Sequence, residues 1–252
     1  MLSLIKDNLG GYMFSRNKFA MLVAEVLGTG VLTGVVLAVS RSPIGLPYFV
    51  ALAAGLTLAV LVLVIGPTSG SHVNPAVTLG LWTIRKVSTL KAIAYIAAQF
   101  VGAVLAWRLY TYLADGPVKN IAGKTFDWRV LVAEAAGTLV FTFGIAAAVY
   151  QGYDWGKKAA TIGGSLILGI FIASAGSNGM LNPAVALGAP SWSKAYVFGP
   201  LIGGVLGMNL YAMLFADRIT LKLSSAKTVA TSAKPTTRKA SAKKKPTARK
   251  KK

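Results

Sequence analysis

Apolar runs of membrane-spanning length recur along the chain at about 19–40, 47–67, 88–112, 128–150, 159–176 and 195–216. Each can cross a hydrocarbon core of about 30 Å as a helix, so the pattern predicts six transmembrane helices. Two interruptions carry further information. After the second run Gly66-Pro67-Thr68-Ser69-Gly70-Ser71 breaks the pattern, and Asn74-Pro75 opens a short apolar stretch ending near Trp82. After the fifth, Ala175-Gly176-Ser177-Asn178-Gly179 breaks it again, and Asn182-Pro183 opens a stretch ending near Pro190. Asn followed by Pro places a good N-cap before a residue whose fixed φ suits the first helical position. Each stretch is about eight to ten residues, roughly half a bilayer at 1.5 Å per residue. Non-helical chain survives at membrane depth only inside protein or along a water-filled path. The expected fold class is therefore an all-α membrane protein of six transmembrane helices plus two re-entrant half-helices.

The interruptions repeat each other. Asn74-Pro75-Ala76-Val77-Thr78-Leu79-Gly80 returns 108 positions later as Asn182-Pro183-Ala184-Val185-Ala186-Leu187-Gly188, with six of seven residues identical. Ahead of each copy, Ala24-Glu25-Val26-Leu27-Gly28-Thr29 matches Ala133-Glu134-Ala135-Ala136-Gly137-Thr138 at an offset of 109. Two halves on one plan mark an inverted internal repeat of the kind found in transporters and channels. The expected organisation is an N-terminal segment 1–18, a membrane domain 19–216 with repeats at about 19–112 and 128–216, and a tail 217–252. Half-helices entering from opposite faces would meet N-terminus to N-terminus at the midplane. Their dipoles would then aim positive ends at one spot where the Asn74 and Asn182 amides can donate. Such a spot welcomes a neutral oxygen and repels a cation.

Composition agrees with a membrane setting: hydrophobic residues make up 54% and charged residues 13%, against about 25% charged in soluble domains. Zero cysteines exclude disulfides and thiolate metal sites. The first long apolar run is a full span, so no cleavable signal is expected. Residues 218–252 hold 13 Lys/Arg and no acid or aromatic, and account for 13 of the net charge of +20. This stretch cannot bury a core and reads as a disordered tail. Anionic inner-leaflet lipid, or no specific partner at all, is favoured ahead of nucleic acid. Counting the tail, bases divide 21 to 6 in favour of one side, which puts both termini in the cytoplasm.

Glu25 and Glu134 are the chain's only glutamates, and both fall in apolar spans at equivalent repeat positions. One reading is a proton relay or coupling-ion site. The other is a buried acceptor for backbone N–H groups of the re-entrant loop in its own half, and the symmetric duplication favours it. His72 is the sole histidine, with no second His or Cys to complete a metal site. It reads as a wall residue beside Asn74.

Taken in order and spacing, these motifs resemble the aquaporin (major intrinsic protein) family across roughly residues 19–216. The residues that carry the resemblance are Ala24-Glu25 with Gly28-Thr29, Ser69-Gly70 then His72-Val73-Asn74-Pro75-Ala76-Val77-Thr78, Ala98-Gln99 with Gly102-Ala103, Glu134 with Gly137-Thr138, Asn182-Pro183-Ala184, and Gly199-Pro200 with Gly203-Gly204. The resemblance implies a pore in each subunit, a homotetramer in the cell membrane, no catalysis and no cofactor. It also implies passive flux of water or small neutral solutes past Asn74 and Asn182. Small residues such as Gly28, Gly102, Gly137, Gly203 and Gly204 would let helices pack closely. One departure stands out. The family usually places Arg directly after the second Asn-Pro-Ala, at a narrow outer filter; here it is Val185. Counting from the motifs puts Ala54, Ile170 and Gly179 at the other three filter positions, so the filter is expected to be wide and apolar. Water or small uncharged solutes are the leading permeants. The alternatives are larger neutral solutes or gases with poor water flux, and a non-conducting scaffold whose basic tail recruits a partner.

Overall fold

The computed structural model describes residues 16–42, 46–123 and 125–216; the predicted tail and nearly all of the N-terminal segment lie outside them. In chain order the elements are α1 (Arg16–Ser40), α2 (Pro47–Val64), the single turn α3 (Gly66–Ser69), α4 (Pro75–Thr83), α5 (Thr89–Leu113), α6 (Trp128–Tyr150), α7 (Trp155–Ala173), α8 (Pro183–Gly188) and α9 (Lys194–Tyr211), closed by a π-helical turn at Ala212–Ala216. No strand occurs among the described residues. Six of these elements are long and apolar enough to cross a membrane, and α4 and α8 are the two short ones between them. The protein is a multi-pass integral membrane protein.

Of the boundaries that differ from the apolar pattern, three have a local cause in the chain. The second span stops at Val64 instead of 67, because Pro67 has no N–H to extend the ladder and the chain re-forms as the one-turn α3. The fifth begins at Trp155 rather than 159, since the Asp154 carboxylate accepts from Lys157 N at 3.0 Å and caps a polar first turn. The second half-helix is six residues long, ending at Gly188. Pro190 is the reason: it disfavours helical geometry at Ala189, which sits at φ −96°, ψ 40°.

Packing follows the repeat. In the first half α1 lies against α5, and in the second α6 lies against α9, while α2 and α7 join the halves. Each half-helix crosses over: α4 packs on α9 and α8 on α5. Glycines make the matched crossings possible. A Cβ on Gly102 would overlap the Val26 carbonyl of α1, and one on Gly203 would overlap the Ala135 carbonyl of α6. Gly28 differs from the expected helix contact, since a Cβ there would meet the Ile65 and Val73 side chains, each at 2.6 Å. Outward faces carry exposed Leu56, Val60, Leu105, Leu109, Phe198 and Ile202. In water that surface would be a large apolar patch; against lipid it carries no penalty.

Candidate functional site at the junction of the half-helices

The chain approaching each half-helix adopts a left-handed turn that exposes its N–H groups. Val73 (φ 44°) and Leu181 (φ 49°), 108 positions apart, both take this conformation, which is uncommon for non-glycine residues and strained for a β-branched one. A buried carboxylate holds each turn. Glu25 accepts from His72 N at 3.0 Å and Val73 N at 2.7 Å. Glu134 accepts from Met180 N at 2.9 Å and Leu181 N at 2.7 Å. Both glutamates are fully buried, and all four of their oxygens are engaged. The supports differ behind them. Gln99 Nε2 donates to Glu25 and to Thr78 Oγ1, which also contacts His72 Nδ1 at 3.1 Å. In the second half Ser177 Oγ donates to Glu134 at 2.8 Å.

The two asparagines cap their helices and tie the halves together. Asn74 Oδ1 accepts from Ala76 N, and Asn182 Oδ1 accepts from Ala184 N and Val185 N. Pro75 and Pro183 occupy the first helical position, followed by fully buried Ala76 and Ala184. Asn74 Nδ2 donates to the Leu181 carbonyl and Asn182 Nδ2 to the Val73 carbonyl, each at 2.9 Å. Each amide has two N–H bonds, so one remains beyond this reciprocal pair.

A narrow cavity of about 20 Å³ opens beside this junction. Asn74, Asn182 and His72 line it, together with Ala54, Ile170, Gly179 and Val185, and no lining residue is charged. Gly179 (φ 62°) fits closely there, since a Cβ would come within 3.0 Å of Ile170 Cγ2. Counting along the sequence did not reach Leu32, Val36, Val50, Leu58, Val73, Phe141, Leu166 or Met180, which complete the wall. A wider cavity of about 290 Å³ lies at the α5 and α7 N-termini and shares Leu58, His72 and Phe141 with the narrow one. His72 packs edge-on against Tyr95 at 5.0 Å. No cluster of three or more His, Cys, Asp or Glu that could hold a metal exists among the described residues.

Residues 13–211 match the profile of the family described as major intrinsic protein. The chain belongs to the major intrinsic protein family. It is 31% identical to Aquaporin Z of Photorhabdus laumondii over 226 residues, covering 78% of this chain and 98% of that one. It is 38% identical to the lens fiber major intrinsic protein of Rattus norvegicus over 184 residues, 68% of this chain and 70% of that one. The fold is similar to that of the aquaglyceroporin from Plasmodium falciparum, with a TM-score of 0.65 at 22% identity, covering 81% of this chain and 99% of the other.

Within this major intrinsic protein the supporting residues Gln99, Thr78, Tyr95 and Ser177 were missed as functional by sequence reasoning. Gln99 had one available signal, an amide side chain inside an otherwise apolar span. Tyr95, whose hydroxyl donates to the Ser69 carbonyl at 2.8 Å, had none.

Proposed function

We propose that this chain is a passive channel for water and small uncharged solutes. The proposed path enters the wide cavity, passes the waist of Leu58, His72 and Phe141, crosses the Asn74–Asn182 junction and leaves through the ring of Ala54, Ile170, Gly179 and Val185. The observation that carries this reading is that both asparagines and all four ring residues line one cavity, which meets a second at shared residues. The remaining amide N–H of each asparagine supplies a donor to a passing oxygen. Relatives named as aquaporins, and a solved aquaglyceroporin, fit the same reading. Family resemblance further supports a homotetramer, and the excess of Lys and Arg on one side supports both termini on the cytoplasmic side of the cell membrane.

The ring decides what passes. Val185 stands where the family resemblance calls for Arg, the rigid multi-donor cation. An apolar ring returns fewer of the hydrogen bonds that a crossing water gives up, while the missing side chain leaves more room. The same apolar lining favours a second reading, conduction of larger neutral solutes or gases with modest water flux. Osmotic shrinkage of proteoliposomes under sucrose, glycerol and urea gradients separates the two. Fast shrinkage in sucrose supports water conduction, and rapid re-swelling in glycerol or urea supports solute conduction. Vesicles no more permeable than protein-free ones would overturn both and favour the scaffold. Proton coupling through Glu25 and Glu134 is disfavoured by the complete engagement of their oxygens.

A further inference from the structure

The narrow cavity has no charged lining residue, whereas the wide cavity is lined by Lys86, Lys91 and Lys158 and by no acid. Each ammonium rests over an aromatic face. Lys86 Nζ lies 4.6 Å from the Tyr150 ring centroid, Lys91 Nζ 4.8 Å from Tyr95, and Lys158 Nζ 4.5 Å from Trp155. Such contacts hold a long side chain in place without cancelling its charge. Among the described residues none of the three lysines forms an ion pair with an acid. Glu25, whose charge reaches Lys91, accepts from His72 N, Val73 N and Gln99. Asp154 pairs with Lys157, not Lys158, at 3.3 Å.

We infer that Lys86, Lys91 and Lys158 form the main cation barrier of this channel, displaced from the apolar ring at Val185 to the opposite mouth. This rests on the pore reading given above. Low-dielectric walls focus the field of three like charges into the cavity and deplete cations ahead of the waist. Neutral solutes do not feel that field. Dehydration at the apolar ring opposes ions of either sign, so beyond the half-helix dipoles at the midplane, discrimination by sign falls to the lysines.

The test uses full-length protein in liposomes, with potassium-tracer leak and osmotic shrinkage read on the same vesicles. K86Q/K91Q/K158Q should raise the ratio of potassium leak to water flux about tenfold, and adding Val185→Arg to that triple variant should lower it again. In wild type, choline chloride added at fixed potassium shortens the Debye length from about 10 Å at 0.1 M to about 3 Å at 1 M. That screening should raise the same ratio, and it decides the matter if the triple variant does not fold. An unchanged ratio in either experiment overturns the inference. Wild-type vesicles that pass neither water nor neutral solutes faster than protein-free ones would overturn the pore reading itself.

Discussion

Replacing Glu134 by alanine removes the acceptor for two backbone N–H groups that have no other partner in the turn, Met180 N and Leu181 N. Each unpaired buried donor costs about 1–3 kcal/mol, so the two together cost about 2–6 kcal/mol. Ser177 adds little, because its hydroxyl also reaches the Ala173 carbonyl at 3.0 Å. The released turn holds Leu181 in a left-handed conformation, and relaxing it would pull the Leu181 carbonyl away from Asn74. The loss is a large share of the 5–15 kcal/mol typical of whole proteins. Purified Glu134→Ala in mild detergent should therefore unfold at a markedly lower SDS fraction than wild type, followed by circular dichroism. Glu134→Gln keeps one acceptor oxygen and should fall between the two. An alanine variant with the wild-type midpoint and undiminished osmotic flux would refute the assignment of Glu134 as the brace of the second loop.

Four further outcomes follow from the same geometry. Asn182→Leu removes both the Val73 bond and the cap on α8, so well-inserted protein should lose most of its osmotic flux; normal shrinkage would sink the pore assignment. Val185→Arg should narrow the ring, slow glycerol re-swelling and tighten cation exclusion, and an unchanged solute profile would place the constriction elsewhere. Gly203→Ala drives a methyl group into the Ala135 carbonyl and should destabilise by about 1–3 kcal/mol, whereas Gly34→Ala, with nothing within 4 Å, should leave the SDS midpoint in place. The Asp154 carboxyl is held below its ordinary value of 3.8, chiefly by the Lys157 N–H it accepts. A depressed value stabilises the fold fully above the ordinary value, and this is lost as pH falls below it through the folded-state value, so the thermal advantage of wild type over Asp154→Asn should vanish on acidification.

Much of this architecture is legible in the sequence because lipid leaves few choices. A run of apolar residues in hydrocarbon must satisfy its own backbone, so six runs gave six helices. The half-helices were visible through Asn-Pro, a cap and a start in adjacent positions. Where the pattern erred, a cap or a proline outweighed hydropathy: Asp154 starts α7 four residues before the apolar run, and Pro190 trims α8. What stayed hidden depends on which face of a helix turns inward. Leu58, Phe141 and Met180 read as ordinary core residues, and only their placement puts them on the cavity wall. The reciprocal Asn bonds were equally hidden, since they need both loops in space at once. The four ring positions could be counted from the motifs, but their joint lining of one cavity could not.

Those reciprocal bonds bear on how the molecule is made. Neither loop is finished by its own half: Asn74 needs the Leu181 carbonyl, Asn182 needs that of Val73, and each half-helix rests on a long helix of the other half. During synthesis the first half must wait in the bilayer with an open seam until the second has threaded. Biogenesis is thus committed late, and a chain interrupted after α5 is left with an unmatched polar edge in lipid. A half on its own would leave its asparagine amide and its loop carbonyl without the partners they find in the other half.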